Sequence, residues 1–435
     1  MRLLSALLLL LAAPAAAQSA ADVVRVRLAA PSAASEVTVV GSAAPLVVTV
    51  DGRPVGQVAP GQPLRLRAEG REVRASGPGV DARGREVEAA GGTVSVAASG
   101  PARRYVGSVR ATSAGGRLQV VNHAPLEDYV ASVVASEYPF TEIEGVKAQA
   151  VLARTYALRR RGAQPTHDVD DHHGSQVYKG ADVVTPVTRR AAEETAGEVL
   201  TYGADLADAV YSSSSGGHTA DNESVWDGAP VPYLRGVPDP YDAGAPDHTW
   251  RTTVEAAAVH RALSQRFGGR VTGVAPGETS REGRAVSLRL DGARQPTISG
   301  SDFRDAVNAA LGARTVRSTR FTLARRGGDY VLEGGGFGHG VGMSQYGARG
   351  QAREGRSYED ILAFYFRGTE VTGGTGGAAL ARVAAAPESY PVVRGSTEAR
   401  RWPTPRRLVG LGAERGPERA AEPQETAPRP QRRAW

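Results

Sequence analysis

The stretch that most constrains this chain is residues 126–138, LEDYVASVVASEY. Its apolar residues Leu126, Tyr129, Val130, Val133 and Val134 recur at i, i+3, i+4, i+7 and i+8, which is one face of an α-helix. The next position on that face is Glu137, a carboxylate where the pattern asks for a hydrophobe. Pro139 disfavours helical geometry in the residue before it, so the helix is predicted to end there. A glutamate at the end of a buried stripe, beside a helix end, is placed to open into a cleft. Desolvation there raises its pKa and keeps it protonated, as a general acid must be. Pattern alone equally allows a helix-end glutamate that points to water.

The segment after Pro139 carries two further faces. Val146, Ala150, Ala153 and Ala157 form a small-residue face for close packing. Lys147, Val151, Arg154 and Leu158 lie on an adjacent face at i, i+4, i+7 and i+11. Solvated Lys and Arg are the commoner case, but here the cations can flank a Glu137 cleft.

Upstream, residues 23–118 read as short Val-rich strands with alternating polar partners, and VDGRPV carries an Asp-Gly hairpin signal. The chain is therefore expected to be α+β. A β-rich N-terminal module (18–118) precedes a mixed α/β core (119–371) and a disordered Arg- and Pro-rich tail (372–435). Ahead of these, Arg2, a Leu-rich run and Ala15-Ala16-Ala17 read as a secretory leader over residues 1–17. No later apolar run is long enough for a transmembrane anchor, so an exported protein of the periplasm or cell envelope is expected.

The formal net charge of +6 does not imply a nucleic-acid partner. Residues 371–435 hold 11 Arg against 6 Asp and Glu, which is +5, and Arg2 adds one, so residues 18–370 are neutral. The absence of cysteine excludes disulfides and thiolate metal sites.

Three polar stretches invite chemistry. His167, Asp168, Asp170, Asp171, His172 and His173 have the residue types of a zinc site, but a polar loop is preferred because no helix sets their geometry. Ser212 to Ser215 precede Gly216-Gly217-His218 without the strained Gly-x-Ser-x-Gly elbow of a serine hydrolase, so hydrogen bonding to a polyhydroxyl ligand suits them better. Six glycines between Gly334 and Gly342 surround His339 in a pattern that is neither a Walker loop nor a dinucleotide turn. A proline-rich connection adds Trp226, Tyr233, Tyr241 and Trp250, which serve sugar stacking and loop anchoring equally well.

Four ordered blocks carry a family resemblance. They are LEDYVASVVASEYP with GVKAQAVLARTYAL, then GSQVYKG, then YSSSSGGHTADNESVW with PYL, and last GFGHGVGMSQYGA with ILAFYF. Together they resemble the SpoIID/LytB family of stage II sporulation protein D and the LytB amidase enhancers, over about residues 118–371. The resemblance implies a lytic transglycosylase that cleaves peptidoglycan between N-acetylmuramic acid and N-acetylglucosamine. It implies Glu137 as the catalytic glutamate. It implies Lys147, Arg154, Gln176, Tyr211, Ser213, Ser214, His339, Ser344 and Gln345 as residues of the substrate groove. Glycan strands are the implied ligand, and the enhancer members imply a cell-wall amidase as partner. Some members bind zinc through cysteines near the QVY motif, where this chain has Ser175, so no metal and no cofactor are expected. One carboxyl group suffices for such chemistry, because the sugar's own C6 hydroxyl replaces water. A rival hydrolase would pair Glu137 with Asp168, Asp170 or Asp171, and a second rival is a non-enzymatic amidase enhancer.

Overall fold

The computed structural model describes residues 23–226 and 228–373; the expected leader and all but the first two residues of the expected tail lie outside them. Alternation of Val with polar residues produces half-buried strands. The strand Glu36–Gly41, for example, buries Val37, Val39 and Gly41 and leaves the residues between them partly exposed. Among the described residues these strands form one eleven-stranded sheet. Its long path runs from Val23–Arg27 through Arg117–Pro125, Arg103–Ala114, Glu86–Ala97, Glu36–Gly41, Pro63–Glu69 and Glu72–Gly77 to Val80–Gly84. The Asp-Gly hairpin forms as expected. Asp51 and Gly52 both adopt positive φ, as a type I′ turn requires, and Leu46–Val50 pairs with Arg53–Val58 across it.

The sheet crosses the boundary expected near residue 118. Strand Arg117–Pro125 runs directly into the helix Leu126–Glu137, and Val169–Asp170 returns to pair in parallel with Val26 and Arg27. The β-rich and helical parts consequently share one hydrophobic core, from Val24 and Val26 through Tyr129 and Val133 to Ile361 and Phe366.

The helix Leu126–Glu137 buries all five residues of its apolar face and ends one residue before Tyr138, as Pro139 predicts. Glu127 and Asp128 in its first turn complement the helix dipole. The next helix, Ile143–Arg159, buries Val146, Ala150, Ala153 and Ala157, and Gly145 leaves room for the Tyr138 hydroxyl, which a Cβ there would approach to 2.1 Å. Strand Tyr211–Ser212 pairs in parallel with Met343–Ser344, so the serine-rich and glycine-rich motifs lie side by side. A second core, around Trp250, Leu263, Phe303, Phe321 and Leu332, holds the region between them in sequence.

Candidate active site

Glu137 is half-buried at the end of its helix, where the apolar face meets the segment after His172. One oxygen, Oε1, accepts the backbone N–H of Val177 at 2.6 Å. Burial raises the carboxyl pKa above the ordinary glutamate range. The Val177 N–H and the charges of His173 and Lys179 oppose the shift without cancelling it. The charged groups acting on Glu137 are thus cations on one loop, with no second carboxylate among them.

Gln176 is fully buried between two tyrosines. Its carbonyl accepts the Tyr129 hydroxyl at 2.7 Å, and its Nε2 donates to the Tyr211 hydroxyl at 3.2 Å. Both tyrosines feel the Glu137 charge, which helps to hold their pKa values well above the ordinary phenol, though burial is the main cause. Gln176 therefore braces the wall of the site and presents little surface to a ligand.

Tyr211 connects this wall to the glycine-rich loop. The His339 Nδ1 accepts the Val341 N–H at 3.1 Å, and its other nitrogen donates to the Tyr211 carbonyl. The imidazole is fixed in one neutral tautomer, since a proton on Nδ1 would break the Val341 bond. Burial pushes its pKa down to about 4, and Arg284 and Arg304 add to the effect. Trp226 packs on this ring at 4.9 Å between centroids.

Three of the four serines are buried and bonded within the protein. Ser212 accepts the Gly340 N–H, and Ser214 and Ser215 donate to Asp242 and Asp239. Ser213 lies on the Tyr211 side, half-buried, and its hydroxyl has no partner among the described residues. Of the four, Ser213 alone offers a free hydroxyl.

Several expected groove residues are engaged with protein partners. Arg154 is fully buried, with Nε 3.0 Å from Glu127 Oε1 and further bonds to the carbonyls of Ala192 and Glu198. Glu127 opens the helix that Glu137 closes, ten residues and about 15 Å away at helical rise. Arg154 therefore joins helix ends and does not flank Glu137. Lys147 pairs with Glu144 at 3.3 Å and Glu194 at 2.8 Å beneath the Tyr358 ring. Ser344 is buried, caps the helix Gln345–Arg353 through the Gly347 N–H and donates to Asp242. Gln345 is likewise buried against Gln149. Periodicity put these side chains on the right faces but could not reveal which partners cover those faces.

The rival acids have other partners. Asp168 is bound by Arg25 and by the Gly162 N–H, and Asp170 by Arg27 and His167; these bonds hold both carboxyls below their ordinary range despite burial. Asp171 accepts the Ala29 N–H. Tyr233 and Tyr241 anchor the proline-rich connection, on Tyr202 and Phe364, while Trp250 opens a strand and packs on Phe321. Sequence reasoning singled out His173 only as a possible metal ligand, not as a neighbour of Glu137, and it missed Lys179 and the Val177 N–H. It also missed the buried pair Asp239 and Asp242 beneath the serine strand. Asp242 accepts from Ser214, Ser344, His248 and two backbone N–H groups, and it raises Asp239, already desolvated, to about 7.

The fold and site define a mixed α/β protein with a desolvated glutamate, Glu137, at a helix end beside the Tyr129–Gln176–Tyr211 network. Residues 114–202 match the family model described as "Stage II sporulation protein", and residues 241–342 match a domain of unknown function (DUF8618). Stage II sporulation protein D of Bacillus subtilis is 34% identical over 263 residues, which is 55% of this chain and 72% of that protein. The protein of the same name from Bacillus amyloliquefaciens is 33% identical over 258 residues, again 72% of its length. The amidase enhancer of Bacillus subtilis is 30% identical over 288 residues, 40% of its length. The chain belongs to the stage II sporulation protein D family.

Proposed function

We propose that this protein is an exported lytic transglycosylase of peptidoglycan, with Glu137 as its single acid and base. The observation that carries the reading is the Glu137 carboxyl itself, raised by burial, hydrogen-bonded through one oxygen and without a partner carboxylate among the described residues. Glycoside hydrolysis needs a second carboxylate to activate water or to attack the sugar. Intramolecular transfer does not.

In the proposed reaction, protonated Glu137 donates its proton from Oε2 to the glycosidic oxygen while the C1–O bond breaks. The C6 oxygen of the muramic acid forms a new bond to C1. The Glu137 carboxylate then takes the C6 hydroxyl proton, which restores the acid and leaves a 1,6-anhydro end. Through this cycle the Val177 N–H stays on Oε1 and stabilises the transient carboxylate, as does the Lys179 ammonium. Tyr211, Ser213 and the half-buried Trp226 are the proposed sugar contacts, and Gln176 and His339 hold Tyr211 in place. Lys147, Arg154, Ser214, Ser344 and Gln345 support the groove from behind.

A second reading, a peptidoglycan-binding protein that accelerates a cell-wall amidase, is favoured by the name of the amidase-enhancer relative. Glu137→Gln separates the two. It preserves size and neutrality but has no proton to give, so it should bind glycan strands normally and lose about 10²- to 10⁴-fold in cleavage. No cleavage by either protein, with equal acceleration of an added amidase, would overturn the enzyme reading.

A further inference from the structure

The region 241–342 contains a groove that the cleavage chemistry does not use. It has a volume of about 650 Å³ and lies between strand Trp250–Glu255 and the segment after helix Gly300–Leu311. Arg251, Thr252 and Thr253 line one wall, and Leu311, Arg314 and Arg317 the other. Side chains alternate along a strand, so three consecutive residues share a groove only when it follows the strand's edge. The topology agrees. In its three-stranded sheet, Trp250–Glu255 pairs with Asp329–Gly334 on one side and with no strand on the other among the described residues.

An open edge presents unpaired N–H and C=O groups and invites another strand. Neither proline nor a bulge blocks this edge, for the strand reads WRTTVE and pairs in continuous register, with Arg251 and Glu255 as its charges. The opposite wall is charged and shaped. Arg314 stacks on Phe337 at 4.7 Å and reaches Asp247, which also binds Arg317 at 2.6 Å. The buried Nε of Arg317 has no partner among the described residues. Among the described residues Arg251 pairs with the exposed Glu333. Three arginines thus face two acids, and Leu311 adds an exposed apolar contact.

We infer that this groove docks an extended acidic segment of a partner protein, which adds as a fourth strand to Trp250–Glu255 and sets carboxylates on Arg251, Arg314 and Arg317. Two other occupants are disfavoured by charge. Residues 371–435 of this chain carry 11 Arg against 6 acids, and a second copy would oppose one basic edge to another.

The test uses the full chain and three fluorescent peptides. One alternates Glu and Thr, one alternates Lys and Thr, and one is the acidic peptide with alternate backbone amides N-methylated. The acidic peptide should bind saturably, weaken with salt and slow amide exchange across strand Trp250–Glu255. The basic and N-methylated peptides should not. Arg251→Ala should weaken binding about fivefold or more at an unchanged thermal midpoint, and Arg314→Ala should weaken it as much in protein that is still folded by circular dichroism. Equal binding of the basic or methylated peptide overturns the inference, as does binding without slowed exchange in that strand. Absence of binding overturns it too. So does protection of the strand by self-association or by glycan fragments in place of the peptide. None of these results depends on whether Glu137 cleaves glycan.

Discussion

At the scale of single residues, the site turns on how one carboxyl keeps its proton. Burial raises Glu137, so the acid form persists above the ordinary glutamate range, and cleavage should fall as pH rises through that raised value. The linkage has the same sign. The stability contribution of Glu137 is full below its unfolded pKa and is lost as pH rises through the folded one. Glu137→Gln should therefore match wild type in acid and equal or exceed it in alkali, as measured by denaturant unfolding across pH. A loss of stability at every pH would mark Glu137 as a structural residue. Asp239 repeats the argument in a window from 3.8 to about 7, over which wild type should lose stability relative to Asp239→Asn. The two cations of the second helix should part company. Arg154→Met leaves Glu127 without its buried partner and should cost about 3–5 kcal/mol. Lys147→Met breaks partly exposed pairs and should cost about 1 kcal/mol or less. If either variant lost cleavage while folding as wild type, that side chain would be a direct substrate contact.

At the scale of elements, the legible parts of this protein were those with a period. The helix Leu126–Glu137, its end before Pro139, the alternating strands and the Asp-Gly turn all follow from local spacing. What stayed hidden was long-range. The Val177 N–H that holds Glu137 is a backbone group and has no residue signature. The family resemblance implied Arg154 and Ser344 as groove residues, but neither it nor the helix face of Arg154 reveals the Glu127 or Asp242 that faces them. Asp239 and Asp242 were concealed in a proline-rich connection that reads as a loop. Helix Gln345–Arg353 rests on both. Ser344 caps it, and a Cβ on Gly347 would lie 2.5 Å from Asp239 Oδ2. Ser344→Ala should lower stability by about 0.5–2 kcal/mol, and Gly347→Ala by about 1–3 kcal/mol through overpacking, both measurable by thermal unfolding. Full stability in both variants would mean that the serine strand does not depend on this helix.

At the scale of the whole molecule, the sheet and the helices form one structure around a shared core, which closes with strand Glu370–Thr372 on Val199–Tyr202. Truncation after Gly373 should leave the thermal midpoint unchanged to within about 2 °C, whereas truncation before Glu370 should lower it, since the first removes no described pairing and the second removes a strand. No helix among the described residues is long and apolar enough to cross a membrane. The account as a whole rests on one acid acting without water, and the mass of the product ends reads that directly. Purified glycan strands should be incubated with wild type and with Glu137→Gln, and the released ends weighed. Wild type should give ends one water lighter than hydrolysis does, as 1,6-anhydromuramic acid requires, and Glu137→Gln should give almost none. Reducing ends of full mass from wild type would contradict the single-carboxyl account.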